Sequence, residues 1–240
     1  MRPDPQPQSG WVPSGWTKFW SEWRGFILFI VVMLLFRSAI ADWNQVPTGS
    51  MIPSILEGDR IVVDKTAYDL RVPFTMTRIA RWGHPQRSDV ITFESPFDGK
   101  LLVKRVIGVP GDTVELDNNR LTVNGETASY QPVPMEQLPA PVAAAAAHIT
   151  VAAESVQGRE RTIMVHNKRH PAMKSSFEAV TVPAEHYLVM GDNRDNSQDY
   201  RRIGFVHRDL ILGRAERIAF SLDYENYYIP RGERFLQALD

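Results

Sequence analysis

The sequence predicts an all-β fold carried behind one N-terminal membrane-length helix. Three observations point there. Most of the chain breaks into short runs rich in Val, Ile and Thr, separated by Gly, Pro, Asn and Asp. One stretch near the N-terminus is continuously apolar. Beyond it, only 54–56 and 234–239 look even briefly helical.

Residues 1–24 hold prolines and glycines up to Gly15 and no evident apolar periodicity. They read as a flexible tail, with Trp16, Trp20 and Trp23 as interfacial anchors. Residues 25–36 (GFILFIVVMLLF) are unbroken apolar sequence, short for a span of about 20 residues. Arg37 can snorkel to the interface, which extends the segment to a 25–41 signal anchor. Lys18 and Arg24 favour a cytoplasmic N-terminus, and Arg37 weakens that bias. Ala39-Ile40-Ala41 also fits the cleavage site of a disposable signal peptide. Both readings deliver the rest of the chain across the membrane; the mature N-terminus, Met1 or Asp42, separates them.

Strands are expected at 60–65, 89–93, 101–109, 113–117, 120–123, 162–166, 179–182, 187–190 and 215–221. Asn118-Asn119 between two of them, with Asn124-Gly125 following, supplies turn residues that tolerate positive φ. Residues 131–148 are Pro-rich and then run into Ala143–Ala147. No core can be built from that composition, so it reads as a loop or linker, or a short helix, inside an inserted lobe. The expected organisation is a β domain of 42–114 and 184–240 with a smaller β-rich lobe at 115–183. A net charge of −1 gives no reason to expect nucleic acid as a partner, and the absence of cysteine permits an oxidising compartment.

Three segments carry chemistry. The first, Pro47-Thr48-Gly49-Ser50-Met51-Ile52-Pro53-Ser54, places a serine in a Pro/Gly-bounded turn just past the span. Alone it reads as a surface turn. The second sets Lys104 and Arg105 side by side in the apolar strand 101–109. Strand alternation puts Lys104 with Leu102 and Val106 on one face and Arg105 on the other, so one cation faces apolar neighbours unless this is an edge strand. The third, from Gly191 to Gly204, is dense in side chains that bond their own backbone and predicts a rigid polar loop. It is no calcium loop: counting from Asp192, Arg194 and Ile203 stand where carboxylates are required. His166 and His170 have ligand-like spacing without a third ligand, so neither a metal nor a cofactor is expected.

Serine needs a base to act as a nucleophile. No histidine stands in a distinctive setting, and no Gly-x-Ser-x-Gly elbow or Ser-x-x-Lys is present. A lysine from a distant strand remains. At its free pKa of about 10.4, roughly one in 2,500 is neutral at pH 7, so it serves only if burial lowers that value by several units.

Ser-Met-x-Pro with Gly58-Asp59, then Lys104 to Asp112 (KRVIGVPGD), then Gly191 to Asp199 (GDNRDNSQD), together resemble bacterial signal peptidase I, the membrane-bound serine–lysine protease family. The likeness runs from about Phe26 to Ile218 and is weakest in the Ala-rich part. It implies an all-β fold with a catalytic domain and a smaller inserted one. It also implies Ser50 as nucleophile, Lys104 as general base and Ser197 as the hydroxyl that orients the lysine. Thr48 would join the Ser50 amide in the oxyanion hole, Asp199 and Arg201 would form a supporting ion pair, and Val46, Ile55, Leu102 and Val103 would line shallow pockets for small side chains at −1 and −3. Its substrates would be signal peptides of exported preproteins at the bilayer surface, and its place the cytoplasmic membrane, catalytic domain outward. Tyr200, Arg202-Ile203 and Thr48 depart from the family's usual residues without touching the dyad. Alternatives at this level are a specialised processing protease for a pilin or conjugation protein, self-processing, and a non-catalytic anchored binding domain.

Overall fold

The computed structural model describes residues 14–75, 77–168, 173–224 and 226–239. Helix α1 (Ser14–Ala39) has 26 residues, roughly 39 Å at about 1.5 Å per residue, against a hydrocarbon core of about 30 Å. Its Lys18–Ala39 portion is long and apolar enough to cross a membrane, and its most apolar stretch is not buried against the body. The expected tail is therefore shorter than 1–24: residues 1–13 lie outside the described residues, and 14–24 are helical. Trp16, Phe19, Trp20 and Trp23 recur at helical spacing, and Phe19 stacks on Trp23 at 5.8 Å. At the other end, Lys65 Nζ donates to the carbonyls of Arg37 and Ser38 at 3.1 and 3.4 Å, a cation placed where a helix exposes its last acceptors.

The strands follow in chain order: β1 (Ala41–Gln45), β2 (Asp59–Asp64), β3 (Asp69–Arg71), β4 (Arg78–Arg81), β5 (Val90–Glu94), β6 (Leu101–Gly108), β7 (Thr113–Asp117), β8 (Arg120–Val123) and β9 (Glu126–Thr127). Then come β10 (Ser129–Pro132), β11 (Ile149–Val156), β12 (Arg159–His166), β13 (Phe177–Thr181), β14 (His186–Met190), β15 (Val206–His207), β16 (Ile211–Asp223) and β17 (Ile229–Pro230). The main sheet has the order β1-β2-β16-β5-β6-β14-β15, with β17 on β16. Two smaller sheets, β10-β11-β12 and β13-β7-β8-β9, and the β3-β4 hairpin complete the body. Every pairing between named strands is antiparallel.

The sheet order brings residues far apart in sequence to one place. Strand β6 lies inside the main sheet between β5 and β14, so both of its edges are paired and the edge-strand alternative for Lys104 is excluded. Asn118 and Asn119 adopt φ of 49° and 63°, the left-handed turn their sequence predicts. Strands β1, β3, β4, β9, β10, β11, β15 and β17 were not expected. They are polar, very short or bounded by weak turn signals, and tertiary pairing decides them. The expected helical tendency at 54–56 and 234–239 gives turns, a single 3-10 turn at Gly232–Arg234 and a β-bridge from Ala238 to Arg217. The Ala-rich segment forms a short helix, α2 (Ala140–Ala144), and it does contribute to a core: Val142 is buried with Leu56, Ile149, Val151 and Met164. One apolar residue on a short helix suffices once β11 and β12 supply the opposite wall.

Candidate active site

A short 3-10 turn, Gly49–Met51, carries Ser50. Met51 is fully buried beneath it among Val46, Ile55, Ile61 and Val63, which fixes the turn to the sheet. Thr48 precedes the turn in extended conformation, exposed, its side chain making no capping bond. The first amides of such a turn have no partner within it, so the amide end of the turn is available to an acceptor.

Lys104 arrives from β6. Its Nζ lies 2.6 Å from Ser50 Oγ and 2.8 Å from the Val103 carbonyl, and the residue is only 2% exposed. Burial pulls its pKa down to about 8, against the carboxylates of Asp199 and Asp192, which push it back up. Roughly one molecule in ten then holds a neutral lysine at pH 7, instead of one in thousands.

The polar loop after β14 brackets this pair. Asn193 donates from its backbone amide to the Ser50 carbonyl (3.1 Å) and from Nδ2 to the Gly49 carbonyl (3.0 Å). Arg105 reaches Asp192 with two bonds of 2.9 Å, and also the Ser88 carbonyl and Ser54 Oγ. Both Lys104 and Arg105 are thus interior: one meets a hydroxyl, the other a carboxylate, and neither snorkels. Asp199 caps the short helix α3 (Tyr200–Ile203), binds Arg201 through two bonds of 2.8 and 2.7 Å, and accepts the Gly191 amide. Burial raises the Asp199 carboxyl, but Arg201 and the Gly191 amide hold it below the ordinary carboxylate range. Tyr200 packs against Phe177 and Phe205 at ring distances of 5.0 and 4.8 Å, so that departure from the family pattern is absorbed by an aromatic cluster.

Ser197 is buried beside Gly191 and makes no hydrogen bond to Lys104. A Cβ on Gly191 would stand 2.3 Å from Ser197 Oγ and 2.4 Å from the Ser50 carbonyl. Gly191→Ala is therefore expected to push the loop off the serine turn, with activity reduced at least about 100-fold and the melting temperature lowered. Circular dichroism melts beside an activity assay check this. Of the expected pocket residues, Val46, Ile55 and Val103 share one cluster with Met51, whereas Leu102 packs with Tyr68, Ile91 and Phe93.

Sequence reasoning gave no role to Asn193, Arg105, Asp192 or Arg194. The density of Asx residues and charge in 191–199 was the available signal for the loop members.

A β-sheet body behind an apolar helix, with a serine hydroxyl in contact with a buried amine, has the make-up of a helix-anchored peptidase. A family model described as "Signal peptidase, peptidase S26" matches residues 20–220. The chain belongs to that family and is a peptidase, a hydrolase. Signal peptidase I of Pseudomonas aeruginosa is 38% identical over 207 residues, covering 81% of this chain and 69% of that protein. Signal peptidase I of Pseudomonas fluorescens is 36% identical with the same coverage. A crystal structure of a signal peptidase I from Enterococcus faecalis V583 is 30% identical and covers 55% of this chain and 97% of that one, with a TM-score of 0.34.

Proposed function

We propose that this chain removes signal peptides from exported preproteins, with Ser50 as nucleophile and Lys104 as general base. The 2.6 Å contact between the two, with the lysine buried, carries the reading. Neutral Lys104 takes the Ser50 proton as Oγ attacks the scissile carbonyl carbon. The developing oxyanion accepts from the Ser50 amide and the Thr48 hydroxyl. Protonated Lys104 returns its proton to the leaving amine, and the new N-terminus departs. Lys104 then deprotonates water, which attacks the ester and frees Ser50. Asp199 with Arg201 supports the loop beneath, and Ser197, within that loop, orients the amine once substrate is bound.

Val46, Ile55, Leu102 and Val103 limit the side chains accepted at −1 and −3 by shape. Residues 42–114 and 184–240 form the catalytic part, with 115–183 inserted. Helix α1 stays attached as an anchor in the cytoplasmic membrane, N-terminus inside, which confines enzyme and substrate to one surface. Purified full-length protein in detergent should cut preproteins bearing alanine at −1. Replacing that alanine by phenylalanine should lower kcat/KM about 100-fold or more. Equal cleavage of both, or of neither, overturns the assignment.

A further inference from the structure

A buried charge cluster joins the β11–β12 hairpin to the loop that holds the serine turn. Glu154 on β11 is fully buried and accepts from Arg194 Nη1 and Nη2 at 2.9 and 2.6 Å, from Arg161 Nε at 2.6 Å and from the Tyr130 hydroxyl at 2.9 Å. Arg161 stands opposite Glu154 on β12, whereas Arg194 comes from the catalytic loop, 40 residues away in sequence. Two guanidiniums share one carboxylate, and among the described residues Arg194 Nε and Arg161 Nη2 have no hydrogen-bond partner. Replacing a buried ion cluster by apolar side chains of similar volume is often neutral or stabilising, so stability alone does not account for it.

The backbone continues the link. The Met164 amide of β12 donates to the Asp192 carbonyl, and the Arg194 amide donates to the Met164 carbonyl, each at 2.9 Å. Met164 and Asn193 thereby form a parallel bridge. Asn193 lies between those two bonds and grips Gly49 and Ser50 on its other side. The loop at 192–194 is clamped between the hairpin and the nucleophile's turn.

We propose that Glu154 is a positioning residue for the peptidase reaction: by holding Arg194 it sets Asn193, and through Asn193 the reach of Ser50 Oγ to Lys104. The inference rests on the Ser50–Lys104 reading. The expected pocket residues pack in other clusters than Glu154, so the positioning role should be read mainly in kcat.

The test uses full-length protein in detergent, with Glu154→Gln and with the apolar triple variant Glu154→Met, Arg161→Met, Arg194→Met. Rates on a preprotein are expressed per folded molecule from the same melting and titration series. The triple variant should fold, keep KM within about twofold and lose kcat roughly 10- to 100-fold, with Glu154→Gln between it and the parent. A purely structural role would change the folded fraction and leave kcat per folded molecule intact, and that result overturns the inference. Should the triple variant not fold, parental kcat per folded molecule in Glu154→Gln overturns it equally. Ser50→Ala is assayed alongside. If Ser50→Ala is inactive, an unaffected Glu154 series sinks the positioning role alone; if Ser50→Ala is active, the dyad reading falls and the inference with it.

Discussion

Ser50→Ala and Lys104→Met are each expected to abolish cleavage, with kcat falling by about 10⁴-fold or more, as when a nucleophile or its base is removed from a concerted pair. The two substitutions differ in stability. Lys104 is 2% exposed and its pKa is lowered from 10.5 to about 8, so the folded state disfavours its charge. Between pH 8 and 10.5 the unfolded chain binds more protons than the folded one, and stability rises with pH across that window. Below it the full cost of burying the ammonium is carried, on the order of 3 kcal/mol for a shift of this size. Lys104→Met removes that cost, so the inactive variant should melt higher than the parent at pH 7. The parent's kcat should rise with pH through about 8 as the amine loses its proton. A pH–rate profile from 6 to 10 with a flat acid side, or a Lys104→Met protein that cuts, would contradict the base assignment.

Asp192→Ala should be the most damaging single change away from the dyad. Asp192 and Arg105 are 1% and 0% exposed and meet through two bonds of 2.9 Å. Removing the carboxylate takes away the two charge-assisted bonds that Arg105 makes to it, and loss of one partner of a buried ion pair typically costs about 3–5 kcal/mol. Arg105 also reaches Ser54 Oγ, so the damage travels to the segment that carries Ser50. The electrostatic consequence has a defined sign. Asp192 raises the Lys104 pKa, so its loss should move the acid limb of any remaining activity to lower pH. Urea denaturation and a pH–rate profile on the same preparation check both halves. A protein of parental stability with an unmoved acid limb would show that the pair neither supports the loop nor acts on the lysine.

Much of this molecule is legible in the sequence, each part for a local reason. Residues 25–36 are continuously apolar, and extended past Arg37 they give the expected 25–41 span; in the structure Lys18–Ala39 is long and apolar enough to cross a membrane. Strands such as β2, β6 and β14 follow from β-branched residues bounded by turn formers, and the β7–β8 hairpin follows from Asn118-Asn119. The adjacent cations at 104 and 105 and the dense polar loop at 191–199 are visible in the sequence, whereas Ser50 alone reads as a surface turn and gains its role only from the resemblance. By contrast, α1 starts earlier than its apolar core because the tryptophan spacing at 16–23 is helical although the composition is mixed. Strand β1 consists of Ala-Asp-Trp-Asn-Gln and forms because β2 offers it an open edge.

The sequence by itself determined which groups are present: one apolar span, a β-rich body, a serine in a rigid turn, adjacent Lys104 and Arg105, and a polar loop. Tertiary structure decided where each group sits and what it meets. Only the placement of β6 inside the main sheet buries Lys104 and brings its amine within 2.6 Å of a serine 54 residues away. Only the packing of β11 and β12 against the loop gives Arg194 its carboxylate in Glu154. The physical reason is common to both. A charge is defined by its residue type, but its protonation and its partner depend on burial and on neighbours that adjacency in sequence does not supply.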